Sequence, residues 1–367
     1  MRKRVLFVII FFFIVLLAPV ISKVIQLSPI FFQILFNKNI DLKRTDNSIN
    51  ILLLGTGGGS HEGPNLTDTI IFARIDPVKN KVNLISIPRD LWVPDLNQKI
   101  NTAYAKGEDV RKGGGLVLAK ATVSKVLNQP IGYGFRIDFD GFVKAVDLVG
   151  GLDIVVDREF DDYQYPVEEK REDLCGHTLE EATVLIASQA AQVVFPCRYK
   201  HVYFSKGPQL MDGEASLMFV RSRYATGPEG TDFARSMRQQ KIIQAFREKV
   251  LSLQILLNPI KINSLYSVLS KSIDTDIKTL EFDDFIKLAN KVRKASIKSE
   301  VVDVGDDDKL GLLVNPPLDQ FGGAWVLVPS AGSGNFSQIQ KHIACVLTKD
   351  DCPISNLYEN KSNNKNR

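Results

Sequence analysis

A chain of 367 residues, 44% hydrophobic and 24% charged, has enough apolar mass for one large core or two smaller ones, which excludes a disordered or fibrous protein. Its net charge of +4 is too small for a general polyanion binder, so any basic site has to be local.

The chain opens with Met1-Arg2-Lys3-Arg4, an uncharged apolar run from Val5 to Ile21, a lone Lys23 and a second apolar run from Val24 to Phe36. This pattern predicts a transmembrane anchor over residues 1–36, with the N-terminus in the cytoplasm and the bulk of the chain outside the cell membrane. A cleaved signal peptide is the alternative, but no A-x-A-like site follows Leu17-Ala18-Pro19. Residues 37–48 are polar and aperiodic and read as a linker.

From residue 49 the texture is that of a folded domain. The run Ile51 to Leu54 ends in glycine as a buried strand does, and Thr69 to Ile75 and Lys81 to Ile87 are two further strands joined by a turn at Asp76 to Asn80. Leu116 to Leu127 carries helical periodicity, Tyr133 to Phe139 reads as a strand, Phe142 to Val149 as a helix and Leu152 to Val156 as a strand. Such alternation predicts α/β layers. Residues 158–206 look like a surface insertion with a helix from Leu179 to Gln192, and helices follow at Glu214 to Arg221 and Phe233 to Leu253, closing a domain over 49–257. Residues 258–355 form a C-terminal lobe, with helices at Ile260 to Leu269 and Asp283 to Val292, a strand at Ala324 to Val328 and a short helix at Phe336 to Cys345. Residues 356–367 are Asn/Lys-rich and read as a disordered tail.

The four cysteines fall into two local pairs, Cys175 with Cys197 and Cys345 with Cys352, and each pairing as a disulfide closes a short loop, as suits an oxidising compartment. Metal binding is the rival reading; no C-x2-C spacing is present, and only His177 and His201 lie near the first pair.

Several residues carry chemistry. The stretch Gly55 to Gly63 follows a strand, where backbone amides cradle phosphate, yet it has neither the G-K-[ST] ending of a nucleotide loop nor the spacing of a dinucleotide fingerprint. Asp68 stands at a strand entry, where it is either a magnesium ligand or an Asx turn. Arg89, in Ile87-Pro88-Arg89-Asp90, ends a strand and can present its fork to phosphate; a surface Arg-Asp pair is the bland alternative. Arg221, Arg223, Arg235, Arg238 and Lys241 outweigh Glu229 and Asp232 in the densest cluster. A helix starting at Asp232 puts Asp232, Arg235 and Gln239 on one face with Arg238 beside them. No G-x-S-x-G or paired-histidine motif supports nucleophilic catalysis, whereas phosphoryl transfer needs only positioning, a metal and arginines.

The order I-L-L-L-G, L-T-D-T, S-I-P-R-D-L, K-I-N-T-A-Y, D-G-E-A-S-L-M-F-V-R-S-R and D-F-A-R-S-M-R-Q-Q, spanning about Ile49 to Val250, closely resembles the LytR-CpsA-Psr family. The resemblance implies a mixed central β-sheet flanked by helices, with a hydrophobic tunnel for a lipid tail. It also implies a membrane-anchored, Mg²⁺-dependent phosphotransferase that moves a glycopolymer from a polyprenyl-diphosphate carrier to peptidoglycan, with pyrophosphatase activity as a related reaction. Carried over, Asp68 would bind magnesium and Arg89, Arg221, Arg223 and Arg235 would grip the diphosphate; Asp232 would be the base or orienter, with Arg238 and Gln239 as secondary contacts. Where the family carries an acid after the first strand and a basic residue before T-D, this chain has Gly57 and Leu66, and Glu62 is the substitute acid expected for the metal. A non-catalytic module that holds polyprenyl phosphate or anionic glycan is the competing reading; a nucleic-acid role has no room in a cytoplasmic stub of Met1 to Arg4.

Overall fold

The structure, a computed structural model, describes residues 40–59, 63–250, 270, 272–306, 309–349 and 351–354. The expected anchor over 1–36, Glu62, the helix at Ile260 to Leu269 and the tail 356–367 lie outside the described residues, as do the side chains of Asp232 and Phe233. Among the described residues no helix is long and apolar enough to cross a membrane.

Three strands set the frame: β1 (Ile49–Thr56), β2 (Thr67–Asp76) and β3 (Lys81–Ser86). Their side chains alternate between two cores, as the period of a strand requires. Leu52, Leu54, Ile70, Phe72 and Ile85 enter one core; Ile49, Ile51, Ile71, Ala73, Val82 and Leu84 enter the other. A sheet buried on both faces explains why these strands read as nearly unbroken apolar runs.

β4 (Tyr133–Asp138) pairs parallel with β1, and two short segments complete the sheet: β9 (Ile273–Thr275) antiparallel to β4, and β10 (Ser296–Val301) parallel to β3. The spatial order is β9-β4-β1-β2-β3-β10, a mixed sheet. Both outer strands thus come from residues expected in a C-terminal lobe.

Helices cover both faces. α1 (Ala103–Val110) and α2 (Gly115–Leu127) sit on one side with the late helix α8 (Ser337–Thr348), through Ala119, Val123, Ile339 and Ile343. α7 (Phe282–Lys291) covers the other through Leu288. A third core joins α3 (Phe139–Leu148), α5 (Gly213–Arg221) and α6 (Asp232–Val250) to two ribbons. These ribbons are β5 (Leu152–Val156) with β8 (Gly207–Met211), and β6 (Phe160–Pro166) with β7 (Tyr199–Phe204).

The segment expected as a surface insertion has an inward face: Phe160, Val202 and Phe204 are buried against Phe219 of α5. Its helix is shorter than expected. α4 (Leu179–Ile186) starts at a Thr178–Glu181 capping box and stops before a separate turn at Ala191–Val194. Cys175–Cys197 ties this part to itself with Cα atoms 5.7 Å apart, and Cys345–Cys352 ties the end of α8 to the chain beyond it at 5.8 Å. Both pairings agree with those expected, and the metal alternative for the first pair falls because its sulfurs are bonded to each other.

Candidate active site

β1, β3, β4 and β10 run the same way, so their C-terminal ends share one edge of the sheet, the edge where ligands collect in open α/β folds. β2 begins at that edge. Asp68 therefore stands at the start of β2 directly beside the chain leaving β3, with Ile87 N–H donating to Ile70 O at 2.9 Å. Arg89, just past the end of β3, turns its guanidinium onto the Asp68 carboxylate and also lies 3.5 Å from Asp90. Asp90 is buried and takes a second cation, Lys99, at 2.7 Å.

The glycine loop after β1 has a packing reason as well as a flexible one. Gly58 has φ +70°, and a Cβ there would stand 2.5 Å from Cβ of Asp138. Asp138 in turn caps α3 by accepting from Gly141 N–H at 2.8 Å. Gly58 N–H donates to Pro64 O at 3.0 Å.

Opposite the strand ends stands the start of α6. Thr231 caps it, its hydroxyl accepting from Ala234 N–H at 3.1 Å, so the first turns project into the space above the sheet. A cavity of about 760 Å³ lies between, and its lining includes Asp68 and Arg89 from the sheet edge and Arg235, Arg238 and Gln239 from α6. Gln239 crosses from helix to sheet, donating to Thr69 Oγ1 at 3.1 Å. The helical spacing read from the sequence is what brings Arg235 and Gln239 to one side.

The deeper wall is apolar: Ile70, Ile87, Phe160, Phe219, Val302 and Leu327 are all buried and all line the cavity. Charged and apolar side chains in one cavity make it amphipathic, able to hold an anion joined to a greasy chain.

Three of the expected arginines have other surroundings in this structure. Arg238 is only 3% exposed; its Nε donates to Phe219 O (2.8 Å), Nη1 to Glu229 O (2.9 Å) and Oε2 (3.0 Å), and Nη2 to Ser222 O (2.6 Å). Burial pulls its pKa below the ordinary arginine value, against the opposing pull of Glu229. It is a brace joining α5, the Glu229 turn and α6, with four bonds from its three nitrogens to protein acceptors. Arg221 does not line the cavity: it is bonded to Glu168 at 2.7 Å and stacked 4.4 Å above the Phe139 ring. Arg223 does not line it either, and its backbone N–H donates to the buried Asp162 at 3.1 Å. Of the six residues between Arg221 and Gln239 expected to converge, Arg235, Arg238 and Gln239 line the cavity and Arg221 and Arg223 do not, with the Asp232 side chain outside the described set.

Sequence reading missed part of the wall. Arg158, exposed at the start of the β5–β6 connection, lines the cavity, as do Asp303 and Trp325 from the C-terminal part. Arg158 stands two residues past the end of β5, a strand-end cation of the same kind as Arg89, which is the signal that could have found it.

A hard cation has limited support from the described residues. Of the lining carboxylates, Asp157 pairs with Lys241 at 2.6 Å and Glu229 with Arg238, while Asp68, with a half-exposed side chain, stands on Arg89 and Asp303 comes from the C-terminal part. One carboxylate is sufficient for Mg²⁺ when phosphate oxygens and waters fill the remaining positions, so this donor set fits a magnesium that arrives with a phosphorylated ligand. The one grouping of three potential metal ligands among the described residues, Asp173 with Cys175 and Cys197, is elsewhere and contains the disulfide.

Comparison with known proteins agrees with the motif reading. A profile of the LytR_cpsA_psr family matches residues 32–315. The polyisoprenyl-teichoic acid–peptidoglycan teichoic acid transferase TagU of Bacillus cereus is 32% identical over 205 residues, 55% of this chain and 52% of that protein. The match therefore spans about half of that relative's length. Among solved structures, protein gbs0355 from Streptococcus agalactiae superposes with a TM-score of 0.54 at 22% identity, covering 83% of this chain and 89% of the other. B. subtilis TagV gives a TM-score of 0.52 at 23% identity over 83% and 99%. These likenesses establish the fold.

Proposed function

Since this chain belongs to the LytR-CpsA-Psr family, we propose that it is a transferase that takes a glycopolymer from a polyprenyl-diphosphate carrier and attaches it to peptidoglycan. The observation that carries this reading is the amphipathic cavity, lined by Asp68, Arg89 and Arg235 together with the buried apolar side chains of Ile70, Phe160 and Phe219. A diphosphate matches the cations, and the prenyl chain matches Ile70, Phe160 and Phe219. The name of the Bacillus cereus relative, which couples a polyisoprenyl-linked polymer to peptidoglycan, supports the same substrate classes.

In the proposed reaction an acceptor hydroxyl oxygen attacks the phosphorus nearer the glycan. The bond from that phosphorus to the bridging oxygen breaks, polyprenyl phosphate leaves, and the hydroxyl proton is taken up by a carboxylate. Arg89 and Arg235 hold the diphosphate and offset the charge that grows on the leaving phosphate. Asp68 orients Arg89 through their ion pair. Asp232 is proposed as the carboxylate that aligns the attacking hydroxyl. Mg²⁺ is the proposed cofactor, held by Asp68 with Glu62 as a second acid, and when bound it would neutralise phosphate charge. The chain acts in the proposed scheme from the outer face of the cell membrane, anchored by residues 1–36, with the folded part over 49–257 and the C-terminal part contributing to one cavity.

The test is release of polyprenyl phosphate and incorporation of glycan by the full-length chain. Arg89→Ala and Arg235→Ala should each lower turnover about 10²-fold. Glu62→Gln should lower it at limiting magnesium; unchanged activity there removes Glu62 from the metal site. A protein that retains intact donor without turnover would instead be a binding module, the reading favoured by Gly57 in place of the family's acid.

A further inference from the structure

Every part of the cavity named so far concerns the phosphates or the lipid, yet one wall suits neither. Trp325 lines the cavity while remaining 45% exposed, in contrast to the buried apolar side chains deeper in. Its place is fixed by the backbone. Leu327 N–H donates to Asp90 O at 2.9 Å, Trp92 N–H donates to Leu327 O at 2.8 Å, and Leu91 and Leu327 form a parallel bridge. Trp325, two residues before this bridge, lines the same cavity as Arg89. Asn315 fixes the segment by donating to Val326 O at 2.6 Å, and both Asn315 and Asp303 line the cavity. Both the indole and its support lie past the residues matched by the family profile or at their end, since that match stops at 315.

A half-open indole in a cavity that also presents the Asp303 carboxylate and the Asn315 amide is poorly suited to an isoprenoid, which gains most from full enclosure. It is well suited to a ring with one apolar face and hydroxyls at its edge. In a glycosyl diphosphate the first sugar is joined directly to phosphate, so the cavity that Arg89 and Trp325 both line has to receive that sugar, and the sugar that attacks it, along with the diphosphate. We propose that Trp325 is a saccharide platform: its indole stacks on a pyranose ring adjoining the diphosphate site, with Asp303 and Asn315 facing the ring's hydroxyl edge. The inference rests on the transferase reading for its ligand class, and it adds a sugar-specificity determinant contributed by the C-terminal part of the chain.

The experiment reads binding through the indole itself and so does not depend on turnover. The chain has two tryptophans, Trp92 and Trp325, and in full-length Trp92→Phe protein the emission reports Trp325 alone. Three probes are titrated: a short-chain polyprenyl diphosphate, the same compound bearing N-acetylglucosamine, and a soluble peptidoglycan disaccharide. At least one saccharide should shift the emission where the bare diphosphate does not. Parallel titrations by calorimetry compare the wild-type chain with Trp325→Ala and Trp325→Phe. Trp325→Ala should weaken that saccharide's binding about tenfold, Trp325→Phe should recover part of the loss, and affinity for the bare diphosphate should be unaltered. Loss confined to the sugar-bearing donor assigns the ring to the donor, and loss confined to the disaccharide assigns it to the acceptor. Equal weakening of bare and sugar-bearing diphosphate, or saccharide binding that is absent or indifferent to Trp325, overturns the proposal. Failure of the transferase reading looks different: saccharide and diphosphate bind, and polyprenyl phosphate is never released.

Discussion

Truncating Arg238 tests whether it belongs to the ligand or to the fold. The side chain is 3% exposed and donates to the carbonyls of Phe219, Ser222 and Glu229 and to the Glu229 carboxylate, whose own side chain is 17% exposed. Arg238→Met keeps most of the volume and removes every donor. Each orphaned acceptor costs about 1–3 kcal/mol, and breaking a buried ion pair costs about 3–5 kcal/mol. These figures overlap because Glu229 appears in both, so the expected loss of unfolding free energy is about 4 kcal/mol. Arg238→Lys keeps the charge and one or two of the bonds and should lose roughly half as much. The assay is urea denaturation followed by far-UV circular dichroism, run beside polyprenyl-diphosphate binding at a denaturant concentration where the variant is folded. A methionine variant that unfolds at the wild-type midpoint and has lost only diphosphate affinity would refute the bracing role and return Arg238 to the set of phosphate ligands.

Four further outcomes are expected. Asp68→Asn should lower turnover about 10²-fold while diphosphate affinity, measured without metal, is held or rises, because Arg89 loses its competing carboxylate. Tyr133→Phe removes a hydroxyl that accepts from Lys43 N–H at 2.9 Å and donates to Glu281 at 2.7 Å, and should cost about 1–2 kcal/mol in denaturation at neutral pH. Burial works against the Glu281 carboxylate, but bonds from Tyr133 and Lys278 N–H outweigh it and hold the pKa below 4.5. The stability it contributes is full above that value and is lost as pH falls through the lower folded pKa, so the gap between wild type and Tyr133→Phe should narrow in acid. Cys175→Ser with Cys197→Ser opens a loop with a sequence separation of 22, worth about 3 kcal/mol. Because Ala182, Val194 and Phe195 form their own small core, the loss should appear as faster hydrogen exchange and proteolysis within 167–198, with little change in global unfolding. Gly58→Ala puts a methyl group against Asp138 at a positive φ and should destabilise the chain by at least about 1 kcal/mol in the same denaturation assay.

The parts of this architecture that were readable in the sequence are those fixed by local periodicity. β1 to β4, α2, α3 and α5 fall where alternating or helical apolar spacing put them, because each is long enough for its burial pattern to repeat. The short strands Ile273–Thr275 and Ser296–Val301 carry no such repeat and are strands only because an edge of the sheet accepts them, which is why the C-terminal part read as a separate lobe. At the site, Asp68, Arg89, Arg235 and Gln239 were legible from strand ends and one helical face. The protein partners of Arg221 and Arg238 were not legible, because a guanidinium that grips phosphate and one that satisfies protein acceptors are identical in sequence. Their difference lies in partners distant along the chain, Glu168 and Phe219. Trp325 could not be placed at all without the bridge between Leu91 and Leu327.

The order in which this sheet can close is set by where its outermost strands lie in the chain. A ribosome delivers β1 to β4 long before residues 273–275 and 296–301, so the growing polypeptide carries two rows of unsatisfied amides and carbonyls on either side of an apolar slab. Such edges recruit other strands. A message cut short before codon 296 would specify a product with one flank permanently bare, and clumping of that fragment, rather than a soluble and merely inactive protein, is what its biogenesis would yield.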